Sequence, residues 1–96
     1  MVDCVYREVS LIPKGKVTTY GDLANKCCIA SARIVGNILH HNPDPIRIPC
    51  HRVVRQEGTI AGGYAFGGRE AQIKKLRAEG IPIRKQHLQD RKVFWK

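Results

Sequence analysis

Two helix-start signals, at Thr19 and Ser31, constrain this chain more than any other feature. Thr19-Tyr20-Gly21-Asp22 has the form of a capping box, with an acidic residue three positions after the threonine. It predicts a short helix over residues 20–27. Ser31 caps a second helix, over residues 32–41, in which Ile34, Val35, Ile38 and Leu39 recur at helical spacing. Two short helices joined by three or four residues outline a helix-turn-helix unit. Asn42-Pro43-Asp44-Pro45 ends the second helix and starts a stiff loop, because proline bars the residue before it from helical backbone.

The flanks complete a mainly helical fold with a small β component, of the winged-helix-like helix-turn-helix kind. Asp3 caps a first helix running to about residue 11, with Val5, Val9 and Ile12 on its buried side. Pro13-Lys14-Gly15-Lys16 is a turn and Val17-Thr18 a short extended piece. After Val54, glycines 58, 62, 63, 67 and 68 punctuate a flexible segment that carries Tyr64 and Phe66. A last helix over 69–79 turns Ile73 and Leu76 inward and stops at Gly80. The tail, 81–96, forms a small hairpin or ends in a strand around Val93-Phe94-Trp95, an aromatic end read as packing. The chain contains no internal repeat.

Ninety-six residues suffice for one domain, residues 1–96, with a single core. Seventeen Lys and Arg against eight Asp and Glu give a net charge of +9, which fits a polyanionic partner, nucleic acid ahead of an anionic membrane surface. The last 28 residues alone hold nine basic and three acidic side chains. No apolar run is long enough to span a bilayer and no signal peptide opens the chain, so an intracellular protein is expected. Four cysteines, at 4, 27, 28 and 50, contain no C-x-x-C pair. Reduced thiols are expected, with Cys4, Cys27 and Cys28 in the core. A metal site borrowing His40, His41 or His87 is the alternative.

Chemistry is concentrated in Ile48-Pro49-Cys50-His51-Arg52-Val53-Val54. A thiol is a useful nucleophile only as thiolate, and a neighbouring imidazole that takes its proton is the common remedy. Consecutive side chains of a strand point to opposite faces, so Cys50 and His51 cooperate only in a tight turn or a first helical turn. Pro49 suits either. A water would then bridge sulfur and ring. The plain alternative is a buried thiol beside a surface histidine.

Here the residues resemble a known family. The string Asn42-Pro43-x-Pro45-x-x-Ile48-Pro49-Cys50-His51-Arg52-Val53-Val54 resembles the active-site signature of the O6-alkylguanine-DNA alkyltransferases, also called methylated-DNA–protein-cysteine methyltransferases. Upstream, Ile12-Pro13-x-Gly15-x-Val17-x-x-Tyr20-x-x-Leu23-Ala24 and Ala32-Arg33-x-Val35-Gly36 are similar to that family's helix-turn-helix. Downstream, Gly63-Tyr64-x-x-Gly67-Gly68 and Leu76-x-x-Glu79-Gly80 are similar to its pocket loop and last helix. The resemblance is to the carboxy-terminal active-site domain; many members carry a separate amino-terminal domain for which this chain has no room. The alkyltransferase-like proteins are similarly short but typically have tryptophan at the nucleophile, so Cys50 sides with the transferases.

The resemblance implies roles. Cys50 is the alkyl acceptor, His51 its base through a water, and Glu79 the acid that orients His51. A carboxylate in the last turn of a helix opposes the helix dipole, which independently calls for a compensating partner at Glu79. Asn42 resembles the hinge asparagine that bonds backbone around the active-site loop. Tyr20 resembles the tyrosine that pushes the target phosphate and donates to guanine N3, and Arg33 the arginine that fills the gap left by the extruded base. Ala32 and Gly36 permit close approach to a minor groove. The carbonyls of Cys50 and Val53 accept from the guanine amine, and Tyr64 walls the alkyl group. Ala65 stands where some relatives have serine, and Phe66 narrows the pocket. Arg47, Arg52 and the basic tail are phosphate contacts or solvated surface.

Together these roles imply single-turnover DNA repair by a monomer. The protein is expected to bind duplex DNA in the minor groove, flip O6-methylguanine and move the methyl to Cys50, with no metal or cofactor needed. Two other readings fit a basic helix-turn-helix chain: a lesion sensor that binds alkylguanine without transfer, and a sequence-reading regulator without chemistry.

Overall fold

The computed structural model describes residues 2–44, 46–55, 58–60, 66–84, 87–88 and 91–95. Helix α1 spans Val2–Ser10 and buries Val5 and Val9, one turn apart. Asp3 therefore lies in its first turn, where a carboxylate suits the helix dipole, rather than at the cap. Ile12, just beyond the helix, is buried as expected. Strand β1, Thr18–Thr19, leads directly into α2, Tyr20–Lys26, and the Thr19 hydroxyl accepts from the Asp22 N–H at 3.0 Å. Helix α3, Ala32–His40, starts where Ser31 Oγ accepts from the Arg33 N–H at 3.1 Å. Val35 and Leu39 are its buried stripe, and Ile38 packs partly against it. Ile34, expected inside, is 36% exposed, and its neighbours Ala32 and Arg33 in the first turn of α3 are exposed too, so the buried stripe of the helix begins only at Val35.

The turn between α2 and α3 is a Schellman ending. The Ile29 N–H reaches Ala24 O at 2.8 Å and the Cys28 N–H reaches Asn25 O at 3.3 Å. The left-handed position of that motif usually falls to glycine, but here Cys28 occupies it with φ of 55°. Cys28 is exposed, not a core thiol. Cys4 and Cys27 are joined in a disulfide, with Cα atoms 5.8 Å apart. Both corrections have one origin: packing of α1 on the end of α2 brings 4 and 27 together and turns 28 outward, and no local spacing encodes that. His40 and His41 end α3 side by side, while His87 pairs with Thr59 Oγ1 in the wing. Among the described residues no three His, Cys, Asp or Glu gather to hold a metal ion.

Residues 50–52 form a single 3₁₀ turn, followed by strand β2, Val53–Val54, which pairs in parallel with β1 as Thr18 to Val53 and Thr19 to Val54. Successive strand residues face opposite ways. Val53 and Cys50 thus join the core of α1, α2 and α3, whereas Val54 joins a second cluster with Val17, Ile60, Leu76, Ile81 and Ile83. Helix α4, Gly68–Ala78, closes that second core through Leu76 with Ile73 half-buried. It also ends in a Schellman motif, with Ile81 N–H to Leu76 O at 3.1 Å and Gly80 N–H to Arg77 O at 3.0 Å. Gly80 supplies the left-handed residue at φ of 86°.

The wing is a hairpin of β3, Ile83–Arg84, and β4, His87–Leu88, extended by the pairing of Thr59 with His87. The tail then pairs with the start of β1. The Val17 N–H donates to Val93 O at 2.8 Å and the Trp95 N–H to Val17 O at 2.7 Å. Trp95 packs against the first core and under the Lys26 ammonium, 4.3 Å from its ring centre, so the aromatic end is packing. No helix among the described residues is long and apolar enough to cross a membrane.

Candidate active site on a DNA-binding fold

The loop from Asn42 to Pro49 is stiffened by side chains bonding its own backbone. Asn42, 5% exposed, donates from Nδ2 to Ile48 O at 2.7 Å and accepts at Oδ1 from the Asp44 N–H at 2.9 Å. Asp44 Oδ1 in turn accepts from the N–H groups of Ile46 and Arg47. The loop delivers Cys50 into the 3₁₀ turn, where the Arg52 N–H closes on Pro49 O at 3.0 Å. Cys50 and His51 are therefore not on opposite faces of a strand. Both are buried.

Burial pushes the Cys50 thiol above its ordinary range, against a smaller opposing pull from the Asn42 side chain. The sulfur is thus a protonated thiol at neutral pH and must lose a proton to act. Burial also holds His51 below its ordinary value, while the Glu79 carboxylate pulls it upward. The His51 Nε2–H donates to Glu79 Oε2 at 2.9 Å. An ionised carboxylate only accepts, so the proton of the neutral ring sits on Nε2 and Nδ1 carries a lone pair. Nδ1 is buried and has no hydrogen-bond partner among the described residues. Such a ring can take up a proton at Nδ1 and be stabilised at once from behind.

Glu79 stands at the C-cap of α4, one residue past the helix proper. Burial works to raise its pKa, but hydrogen bonds from Arg52 and then His51 hold it below the usual carboxylate range. The compensating partner that its place in the helix dipole calls for is thus double. Arg52 donates from Nε to Oε1 at 2.9 Å and from Nη2 to Oε2 at 2.7 Å, and from Nη1 to Ile12 O at 2.7 Å. The expectation of a phosphate contact or solvated surface at Arg52 is corrected here. Its side chain is only 15% exposed, and it is a strut of the site. Whether Arg47 or Arg52 turns inward carries no local signal, since each role is set by long-range packing.

Tyr20, half-buried at the start of α2, lies within electrostatic reach of Cys50: burial and then the Cys50 thiolate raise its pKa. Tyr6, which no motif singles out, also feels Cys50, and its hydroxyl donates to Ile38 O at 2.9 Å, tying α1 to α3. Arg33 and Ala32 are exposed on the first turn of α3, and the position a Cβ would take at Gly36 is open space. Val53 is fully buried, and its carbonyl accepts from Gln72 Nε2 at 3.0 Å. Gln72 is likewise silent in the sequence, for a glutamine at helical spacing reads as surface. Tyr64 and Ala65 lie outside the described residues, as do glycines 62 and 63; Phe66 is 36% exposed.

A sequence profile described as "6-O-methylguanine DNA methyltransferase, DNA binding domain" matches residues 2–81. The chain belongs to that family. That match takes in 80 of the 96 residues. The chain is 42% identical over 80 residues to a bifunctional methyltransferase/endonuclease of Picrophilus torridus, covering 82% of this chain and 26% of that one. It is 41% identical over 78 residues to a methylated-DNA–protein-cysteine methyltransferase of Methanothermobacter thermautotrophicus, covering 81% and 43%. It therefore spans about a quarter of the first of these relatives and less than half of the second. In structure it is similar to S. pombe Atl1 in complex with damaged DNA containing O6-carboxymethylguanine, with a TM-score of 0.87 and 33% identity over 99% of this chain and 94% of that one.

Proposed function

We propose that this protein, acting intracellularly as one domain and a monomer, repairs duplex DNA by moving the methyl group of O6-methylguanine to Cys50. One observation carries the reading: a buried thiol shares a tight turn with a buried imidazole whose Nε2 is anchored to Glu79 and whose Nδ1 has no partner among the described residues. In the transfer, Cys50 Sγ forms a bond to the methyl carbon as the carbon–O6 bond breaks. The thiol proton passes through a water to His51 Nδ1, and the electron pair left on guanine takes a proton back. The thioether is stable, so each molecule acts once. No metal or cofactor takes part.

The reactive carbon is inside the duplex, so the base must leave the stack, at a cost of about a few kcal/mol. Exposed Arg33 enters the gap, Tyr20 presses the target phosphate, and Ala32 and open Gly36 let α3 settle in the minor groove. Asn42 keeps the hinge loop in shape. Val53 O reads the guanine amine with the lone pair that Gln72 leaves it; the roles of Tyr64 and Ala65 toward the alkyl group rest on the family resemblance alone.

A second reading is a lesion sensor without transfer, favoured by the likeness to Atl1 along nearly the whole of both chains. Intact-mass measurement after incubation with O6-methylguanine duplex separates the two. A gain of one CH2, absent in Cys50→Ala, is expected; tight lesion binding with no mass gain supports the sensor.

A further inference from the structure

Gln72 is 2% exposed, in the middle of α4. Its amide has two N–H donors, and both are used: one to His51 O at 2.8 Å and one to Val53 O at 3.0 Å. These carbonyls bracket the end of the 3₁₀ turn that carries Cys50 and His51, both buried. Pro49, at the head of that turn, gives no side-chain cap. Among the described residues, Gln72 is the one side chain that bonds these two carbonyls. A buried amide with its donors spent on two backbone acceptors fixes the direction of both peptide planes.

We propose that Gln72 is a positioning residue for the Cys50–His51 turn, acting through the backbone rather than touching substrate. Its second bond also orients Val53 O, which on the transfer reading proposed above faces the guanine amine. The inference rests on that reading only for its effect on transfer; its effect on the turn stands alone.

Two variants test it. Gln72→Met keeps the volume and removes both donors. Gln72→Glu places a carboxyl against two carbonyl oxygens; protonated it offers one O–H donor, ionised it offers none. Three readouts apply to the full chain in a Cys28→Ser background: methyl transfer from an O6-methylguanine duplex, iodoacetamide capture of Cys50 resolved by peptide mass, and the His51 titration by NMR. Gln72→Met slows transfer by about 10- to 100-fold, with binding of the lesion duplex little changed. It speeds iodoacetamide capture several-fold as the turn opens, and moves the His51 titration toward the ordinary imidazole value. Gln72→Glu, compared with Gln72→Met at each pH, recovers transfer on going from pH 8 to about pH 6 as its carboxyl protonates.

A merely structural glutamine would lower the melting temperature and leave all three readouts, and the pH-dependent recovery, unmoved. That result overturns the proposal. If the parent chain transfers no methyl, the transfer reading fails, and Cys50 capture with the His51 titration still decides the role of Gln72. If Gln72→Met does not fold, the pH comparison of Gln72→Glu against the parent decides it, recovery supporting the role and a flat ratio refuting it.

Discussion

Replacing Glu79 with glutamine removes one charge and almost no volume, at the point where three donors converge. Arg52 Nε and Nη2 and His51 Nε2 all end on its two oxygens, at 2.9, 2.7 and 2.9 Å, with the Arg52 and Glu79 side chains 15% and 11% exposed. Breaking a buried ion pair by removing one partner costs about 3–5 kcal/mol, because the other charge is left uncompensated. Glutamine retains one acceptor oxygen and Arg52 keeps its bond to Ile12 O, which places Glu79→Gln at the low end, about 3 kcal/mol. For a chain of this size that lowers the melting temperature by about 15 °C. The sign at His51 is also fixed. The carboxylate is what raises the imidazole against burial, so its loss drives the His51 pKa further down. Urea denaturation followed by circular dichroism reads the first effect, and NMR titration of the ring the second. A stability loss below about 1 kcal/mol would mean that the Arg52–Glu79 pair is solvated in solution. A His51 titration that stays put or rises would refute the relay itself.

Three other outcomes are expected from the same geometry. Cys28 holds a left-handed conformation that costs an L-residue about 1–2 kcal/mol, part of which glycine returns as chain entropy. Cys28→Gly should therefore gain about 0.5–1 kcal/mol in urea over Cys28→Ala, and a loss would show the turn to be unstrained. His51 and Glu79 both titrate below their ordinary values of 6.5 and 4.5, so the unfolded chain binds more protons in acid. Their contribution is whole above 6.5, shrinks as pH falls through the folded His51 value, and shrinks again below 4.5 as Glu79 protonates. Cys50 acts in reverse, its contribution whole below 9.0 and lost above; a urea midpoint that rose from pH 7 to pH 5 would contradict this. Affinity for undamaged duplex should fall steeply with salt as phosphate contacts release counterions, with Arg33→Ala flattening the slope; a flat response from the parent would remove the basic surface as a docking face.

What the sequence made legible was local. The hydroxyls of Thr19 and Ser31 and the glycine at 80 act on backbone within a few residues, so caps and stops could be placed to within a residue. The Cys50–His51 pair was legible because adjacency is itself local, and only a turn reconciles it with cooperation. Glu79 could be suspected from an unfavourable place in a helix dipole. What escaped was made by distant packing. Arg52 reaches Ile12 across forty residues of chain, and the parallel pairing of Thr18 with Val53 joins the two cores. Gln72 and the Cys4–Cys27 bond are likewise contacts between distant elements, and Ile34 looks buried by period yet stands exposed. The roles given to Tyr64 and Ala65 rest on family resemblance alone.

The decisive measurement is residue-resolved mass analysis of the protein after one incubation with excess O6-methylguanine duplex. The exposed thiol of Cys28 serves as an internal control for indiscriminate alkylation. One methyl per molecule is predicted, on buried Cys50, with Cys28 untouched. Methyl on Cys28 alone, or lesion DNA held tightly while Cys50 stays unmodified, would contradict it.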